Sequence, residues 1–380
     1  MLKLTIRYFI FVALLIFIGE LFFRYVVVSS NTAYKIMDPE FNILLHDTSG
    51  TRTGIYTTGR FAQHRTRWYI NRQGWKSDRD YEPPSPNRKP VIGIIGDSYI
   101  AGFQVEDKDH LTTRLDKLLQ GQYHVYNFGQ GGSCSSQFLH IAMYAEARFD
   151  PDIYVILVRD SDWKQSITYY IRDQRIWQLR ATAEGFKELP ASFEATRWRR
   201  LPKYSALIRY FVYNVNLDLF GGVRTTWRQR YGTSSAGPSP SDPGAPSIKA
   251  GMDYLVRRIR QELPGKDIIF MSDAFTANIY SGREPTSQSS LPWLREICEQ
   301  YDCRVFDLAP SLIKRYAEDG RRFDFEVDYH WNAYGHRVIA ESLFDYLNQN
   351  GLVNPTEEPD LQVASLEPGT TNTPAHEIAH

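Results

Sequence analysis

The stretch VIGIIGDSYIAG, residues 91–102, decides the fold of this 380-residue chain. Its first half is a short apolar run, which predicts a buried strand, and a helical pattern follows at Leu111–Leu119. Further short apolar runs follow along the chain at Val125–Phe128, Ile153–Val158, Asp267–Met271 and Arg304–Phe306. Because short apolar strands alternate with helices, we predict an α/β fold, a three-layer α/β/α sandwich around a central parallel five-stranded sheet.

The composition narrows the class of protein. Lys and Arg number 44 and Asp and Glu number 44, so the net charge is zero and gives no electrostatic argument for nucleic-acid binding. A hydrophobic share of 42% fits a globular chain rather than a disordered one. The three cysteines are too few for a disulfide scaffold, and no second Cys/His pair stands at metal-ligand spacing. We therefore expect no metal and no nucleic-acid partner.

The amino terminus predicts a membrane anchor over residues 1–29. Residues 8–28 have about the length needed to cross a bilayer as a helix, roughly 20 residues. Glu20 and Arg24 stand four apart and can pair near its outer end. Lys3 and Arg7 precede the apolar run, and positive residues favour the cytoplasmic side of the membrane. They therefore predict a cytoplasmic N-terminus, with the chain after the anchor extracytoplasmic, or periplasmic in a Gram-negative cell. A cleaved signal peptide is the alternative, although no clear small-x-small cleavage site follows.

The rest of the chain divides by composition. Residues 30–89 form a lead-in segment that ends in the Pro-rich YEPPSPNRKP. Residues 90–350 carry the strand–helix pattern, interrupted by an aromatic and basic insertion at 164–231 and by a Gly/Ser/Pro-rich loop at 232–247 that we expect to be flexible. Residues 351–380 are acidic and lack Lys and Arg, which predicts a disordered tail.

Two features of the sequence allow two interpretations each. The insertion contains Trp177, Trp198, Trp227 and the run RWRR at 197–200. These aromatics either pack the insertion onto the core, with the basic run facing solvent or lipid, or form part of a carbohydrate cleft. Cys298 and Cys303 flank four residues and either close a small disulfide loop or are unrelated thiols.

Polar and glycine residues follow successive predicted strands. Ser98 comes directly after the first strand, and NFGQGG at 127–132 ends the second, where glycines let backbone N–H groups approach a ligand. VRDSD at 158–162 ends the third strand, and DYHWNAYGH at 328–336 supplies a late histidine. Because sites form at the carboxyl ends of strands in an open parallel sheet, we expect these groups to meet around a nucleophilic serine.

This arrangement resembles the SGNH/GDSL hydrolase superfamily, over roughly residues 67–164 and 265–348. INRQGW at 70–75 is similar to the segment before the nucleophile in membrane-anchored members. The resemblance implies a flavodoxin-like hydrolase fold with no cofactor. It also implies Ser98 as nucleophile and His330 as base, with the N–H groups of Ser98 and Gly132 in the oxyanion hole.

Two positions depart from the family pattern. Where the family has Asn followed by Asp, this chain has Ser161 and Asp162, so the third oxyanion donor would be the shorter Ser161 hydroxyl. Val327 occupies the position, three before the histidine, where many members carry the acid. Asp328 stands two before His330, as in the D-x-H-W variant of some polysaccharide-acetylating relatives, and Glu326 is the reserve candidate.

The sequence is compatible with three functions. The first is a membrane-anchored serine esterase that removes acyl groups, chiefly O-acetyl groups, from carbohydrate or cell-envelope polysaccharide. The second is an O-acyltransferase that uses the same residues to modify an exported polysaccharide. The third is a non-catalytic glycan-binding or assembly protein on a degenerate hydrolase fold, for which the replacement of Asn by Ser161 is the main argument.

Overall fold

The computed structural model describes residues 2–31, 33–192, 201–215, 217–218, 222–223 and 244–353. Several sequence-based predictions lie outside the described residues. These are the disordered tail from 354 onwards, most of the flexible loop, the run RWRR, and the side chains of Trp198 and Trp227.

Five parallel strands form the central sheet, as the apolar runs predicted. They are β1 (Val91–Gly96), β2 (His124–Gly129), β3 (Ile153–Val158), β4 (Asp267–Ser272) and β5 (Arg304–Asp307). Their spatial order is β5-β4-β3-β1-β2, and every neighbouring pair is parallel. The chain moves from β1 to β2 on one side and then to β3 on the other. The carboxyl ends of β1 and β3 therefore flank a switch point, where α/β sheets place their sites.

Helices cover both faces of the sheet, which confirms the three-layer prediction. One face carries Ser135–Phe149, Ile248–Glu262 and Leu291–Gln300, and the other carries Leu111–Leu118, Ala309–Asp319 and Ala333–Gln349. Shorter helices follow the strands at Ser98–Ala101, Asp160–Gln165 and Thr276–Ser281. Val91 and Ile95 of β1 enter one apolar cluster, and Ile92 and Ile94 enter the other. Because side chains alternate along a strand, a continuous apolar strand feeds both layers.

The lead-in segment folds as two antiparallel hairpins. They pair Lys35–Met37 with Leu44–His46 and Thr53–Thr58 with His64–Tyr69. The second, which we call the lead-in hairpin, packs on the domain through a hydrogen bond from Thr66 Oγ1 to the carbonyl of Phe103, at 2.6 Å. The segment is therefore joined to the α/β core by a side-chain hydrogen bond.

The insertion has more regular structure than its sequence predicted. It contains a hairpin of Gln178–Thr182 with Gly185–Leu189, short helices at Leu201–Tyr204, Ala206–Arg209 and Tyr210–Asn214, and the short strands Leu217–Asp218 and Gly222–Val223. Trp177 stacks on His140 at 3.6 Å between ring centroids, and its indole N–H donates to Phe41 O at 2.9 Å. For this tryptophan the structure favours packing onto the core. Cys134, Cys298 and Cys303 are free.

One helix among the described residues, Lys3–Val26, is long and apolar enough to cross a membrane. No residue of its most apolar stretch is buried, and a signal peptide would also have this length and composition. Arg24 pairs with Glu20 at 2.5 Å, as their spacing predicted.

Gly129 is the tightest point between β2 and the helix that begins at Ser98. A methyl group there would lie 2.1 Å from the backbone nitrogen of Ala101, whereas at Gly131 the nearest atom would be Ser98 Cβ at 3.7 Å. We therefore expect Gly129→Ala to lower the unfolding free energy by about 3 kcal/mol and Gly131→Ala by less than about 1 kcal/mol. Denaturant unfolding in detergent, followed by tryptophan fluorescence, measures both. Equal losses would contradict this packing.

Candidate active site

Ser98 begins a short helix immediately after β1. Asp97 caps that helix, and its carboxylate accepts a hydrogen bond from the Tyr99 N–H at 2.9 Å. Gly96 has no room for a side chain, because a Cβ there would lie 2.5 Å from Ile100 Cγ1. The chain bends at Asp97, so Ser98 stands at the carboxyl end of the strand, where the sequence predicted a nucleophile.

His330 meets Ser98 from the loop before the last helix. Its Nε2 lies 2.8 Å from Ser98 Oγ, within hydrogen-bond distance for proton transfer. The loop turns at Tyr329, which has a φ of 62°, and Phe325 N–H donates to His330 O at 2.9 Å. The Tyr99 ring lies 4.7 Å from the imidazole, and its hydroxyl donates to Tyr329 O at 3.0 Å. These contacts hold the imidazole beside the serine.

Asp328 lies on the opposite side of the imidazole. One carboxylate oxygen is 3.6 Å from His330 Nδ1, and the other accepts the His330 backbone N–H at 3.1 Å. The buried Nδ1 has no hydrogen-bond partner among the described residues. The Asp328 carboxylate is thus within ion-pair distance of the nitrogen that an orienting acid would hold. Glu326 is 79% exposed and lies 3.8 Å from Arg322, so it does not fill this role.

The glycine loop after β2 reaches Ser98. The Gln130 N–H donates to Gly96 O at 2.9 Å, and a Cβ on Gly131 would lie 3.7 Å from Ser98 Cβ. Gly132 follows with a φ of 83°, a conformation that favours glycine. The loop is therefore placed to offer backbone N–H groups beside Ser98. The Gly132 N–H stays a predicted oxyanion donor.

Lys35 supports this loop from the lead-in segment. Its ammonium donates to Gly131 O at 3.1 Å. Burial and the nearby charge of Arg175 lower the pKa of Lys35 to about 8. Sequence reasoning missed this contact, because nothing in the local pattern at 35–37 points to a glycine loop nearly a hundred residues later.

Ser161 lies in the first turn of Asp160–Gln165. The nearest polar contact of its hydroxyl is Asp162 Oδ1 at 3.5 Å, and within the described part of the chain it makes no hydrogen bond with Ser98 or His330. The structure therefore does not bring Ser161 onto the Ser98–His330 pair. The predicted hydrogen bond from the Ser161 hydroxyl to the carbonyl oxygen of a bound ester stays a prediction.

Arg159 organises buried acids beneath the site. Its guanidinium lies 4.4 Å from the Tyr99 ring centroid and pairs with Asp97 at 2.5 Å. Burial raises the pKa of Asp162 to about 8 and that of Asp273 to about 6, although Arg159 opposes both shifts. Arg159 thus links the acid that caps the Ser98 helix to the ring packed on His330. Nothing in the VRDSD motif alone indicated this link.

His336 is a buried histidine away from the Ser98–His330 pair. His336 lies in Ala333–Gln349, its Nδ1 accepts the Leu111 N–H at 3.2 Å, and burial holds its pKa well below the ordinary range. Among the described residues no group of three or more His, Cys, Asp or Glu side chains is arranged to hold a metal ion.

This geometry agrees with the comparison to protein families. The sequence profile of the GDSL-like lipase/acylhydrolase family matches residues 94–338, which is more than half of the chain. The chain therefore belongs to the GDSL-like lipase/acylhydrolase family, and it is a serine hydrolase that acts on ester bonds. The matched region contains Ser98, the glycine loop, Asp328 and His330.

Solved structures with a similar fold include a two-domain esterase active on acetylated mannans, co-crystallised with mannopentaose. It has 12% identity and a TM-score of 0.38, and the match covers 71% of this chain but only 52% of that one. The lipase/acylhydrolase from Enterococcus faecalis matches at 12% identity and a TM-score of 0.37, covering 71% and 100% of the two chains. Identities and TM-scores this low support no inference about the substrate of this chain. No curated protein matches the sequence.

The two acids of the late loop give a matched pair of variants. Asp328→Asn removes the charge beside His330 Nδ1, so we expect kcat on an aryl acetate to fall about 100-fold or more, with KM little changed. Glu326→Gln removes an exposed charge from the same loop and should keep kcat within about twofold. Steady-state hydrolysis by the purified chain measures both. If Glu326→Gln lost more activity than Asp328→Asn, the assignment of the acid would be wrong.

The buried Asp273 predicts a pH-dependent stability. Its pKa is about 6 in the folded chain, above the ordinary value of 3.8, so the folded state binds this proton more tightly. Its contribution is complete below pH 3.8 and is lost as the pH rises through 6. We therefore expect the native chain to lose about 3 kcal/mol of unfolding free energy relative to Asp273→Asn between pH 4 and pH 7. Denaturant titrations at each pH test this, and parallel pH profiles would refute it.

Proposed function

We propose that this protein is a membrane-anchored esterase that removes acyl groups, chiefly O-acetyl groups, from carbohydrate or cell-envelope polysaccharide. The observation that carries the catalytic part is the 2.8 Å contact between Ser98 Oγ and His330 Nε2 at the carboxyl end of β1. The D-x-H-W block at 328–331, which resembles that of polysaccharide-acetylating relatives, supports the carbohydrate part.

The proposed reaction proceeds through an acyl-enzyme. His330 takes the Ser98 proton while Ser98 Oγ attacks the ester carbonyl, and Asp328 orients the imidazole and stabilises its positive charge. The N–H groups of Ser98 and Gly132, together with the Ser161 hydroxyl, donate to the carbonyl oxygen as it becomes an oxyanion. When the tetrahedral intermediate collapses, His330 returns the proton to the leaving sugar oxygen. Water then attacks the acyl-serine, releases acetate and restores the Ser98 hydroxyl.

The proposed location follows from the first helix. Lys3–Val26 has the length of a membrane span, and Lys3 and Arg7 lie near its N-terminal end. Because positive residues favour the cytoplasmic side, the N-terminus would be cytoplasmic and the hydrolase domain extracytoplasmic, in the periplasm of a Gram-negative cell. That is the compartment in which an envelope polysaccharide would be available.

The second candidate is an O-acyltransferase that acts through the same acyl-enzyme. In that case a sugar hydroxyl, rather than water, accepts the acyl group from Ser98. The D-x-H-W block favours this candidate as much as the first. The third candidate, a non-catalytic glycan-binding protein, fits less well, because family membership and the Ser98–His330 contact both favour chemistry.

The test uses the purified full chain in detergent with an O-acetylated glycan and an unacetylated glycan acceptor. We expect acetate release that falls at least about 1,000-fold in Ser98→Ala, while Ser281→Ala, an exposed serine on the short helix Thr276–Ser281, stays at the native rate. Acetyl transfer to the acceptor in preference to water would identify the acyltransferase. Native activity in Ser98→Ala would refute the proposal.

A further inference from the structure

The anchor helix is bound to the insertion at its outer end. The Glu20 carboxylate accepts hydrogen bonds from Ser205 Oγ at 2.8 Å and from the backbone N–H groups of Ala206 and Leu207 at 2.8 and 3.1 Å. Arg24 pairs with the same carboxylate. Three donors from the insertion therefore satisfy an acidic group at the end of an apolar helix, where an unpaired charge would be costly.

Aromatic rings extend this contact. Phe23 stacks on Tyr210 with 4.0 Å between ring centroids, and it also contacts Phe22 at 5.2 Å and Phe211 at 6.1 Å. Gly19 lies where a side chain would meet Leu207, at 3.4 Å from its Cδ1. The anchor end and residues 201–215, which we call the insertion segment, thus share one apolar contact surface.

The other side of this surface is open. Tyr204 is 69% exposed, Phe211 36% and Tyr213 39%, and the exposed Phe22 and Tyr25 continue the surface onto the anchor. The stretch from 204 to 215, YSALIRYFVYNV, has no acidic residue and one arginine. Aromatic and aliphatic side chains with few charges are typical of segments that lie at the boundary between lipid headgroups and acyl chains.

The buried side of the insertion segment faces the lead-in hairpin. Asn214 donates to Thr57 Oγ1 and to Gly59 O, both at 3.1 Å, and accepts the Ser30 N–H at 3.2 Å. Its amide is therefore used within the protein, whereas no other described part of the chain covers the exposed Tyr204, Phe211 and Tyr213. Continuity with the anchor makes the bilayer the natural cover for these rings.

We propose that the insertion segment is a second membrane contact, which lies in the interface of the bilayer beside the anchor. Its partner is the boundary between headgroups and acyl chains, and Tyr204, Phe211 and Tyr213 enter that boundary. This inference rests on the proposed membrane anchor. It adds that the hydrolase domain lies against the membrane surface instead of moving freely on the end of a tether.

The lead-in hairpin connects this contact to the active site. Arg65 donates to the carbonyls of Val26 and Val27 at 3.3 and 3.2 Å, at the end of the anchor. The neighbouring His64 ring lies 4.8 Å from Phe325, in the loop that carries His330. One hairpin thus contacts both the anchor end and the catalytic loop. The membrane contact would therefore fix the distance of Ser98 from the bilayer.

Spin labels test the proposal in the full chain, reconstituted into nanodiscs of phosphatidylethanolamine and phosphatidylglycerol. Single cysteines replace Tyr204, Phe211 or Tyr213 in a Cys303→Ser background, because Cys134 and Cys298 are buried. The matched control is Ile313→Cys, an apolar residue of similar exposure, 40%, on Ala309–Asp319. We expect the ratio of oxygen to nickel-chelate accessibility to be at least about threefold higher at the three insertion sites than at the control.

A label at Phe11→Cys separates this inference from the anchor. If position 11 is embedded but positions 204, 211 and 213 match the control, the membrane contact of the insertion segment is refuted and the anchor stands. If the three insertion sites are embedded and position 11 is not, the anchor fails and the interfacial contact stands. Each labelled variant should hydrolyse an aryl acetate in detergent within about twofold of the native rate, since none lies in the catalytic machinery. A variant that fails this check is left out, and the remaining insertion sites decide the outcome.

Discussion

The hydrogen bond between Ser98 and His330 joins positions 232 residues apart, and it depends on the fold that brings these two segments together. The serine depends on the turn at the end of β1, and the histidine depends on the loop between Phe325 and the last helix. In the proposed mechanism the Ser98 hydroxyl cannot attack an ester by itself, because it needs a base within hydrogen-bond distance. The parallel sheet brings both ends of the domain to one edge, and this makes the pair possible.

The surroundings of that pair are held by charges and rings that the reaction does not consume. Arg159 lies between Asp97, which caps the Ser98 helix, and the Tyr99 ring, which packs on His330. Lys35 donates to the glycine loop from the lead-in segment. Removing one partner of the largely buried Arg159–Asp97 pair would leave the other charge uncompensated, so this pair helps to keep the Ser98 helix in one arrangement.

The sequence predicted the sheet well because each strand is a local apolar run and both faces of the sheet are buried. The proximity of Ser98, Asp328 and His330 could also be predicted, since each lies in a short motif that resembles a family pattern, whereas their catalytic roles stay predictions. Lys35, Arg159 and the Glu20 contacts with residues 205–207 could not, because each depends on segments far apart in the chain. The hydrophobic pattern of a sequence describes local structure, so it does not show which distant segments will be in contact. The insertion also contains short helices, which its aromatic and basic composition did not predict.

In the proposed mechanism His330 activates Ser98. The most direct measurement is the reaction of the full chain with a fluorophosphonate, with the adduct located by peptide mass spectrometry and its rate followed over time. We predict a single adduct on Ser98 that forms at least about 100-fold more slowly in His330→Ala, because the hydroxyl loses its base. An adduct on another residue, or an unchanged rate in His330→Ala, would contradict the account.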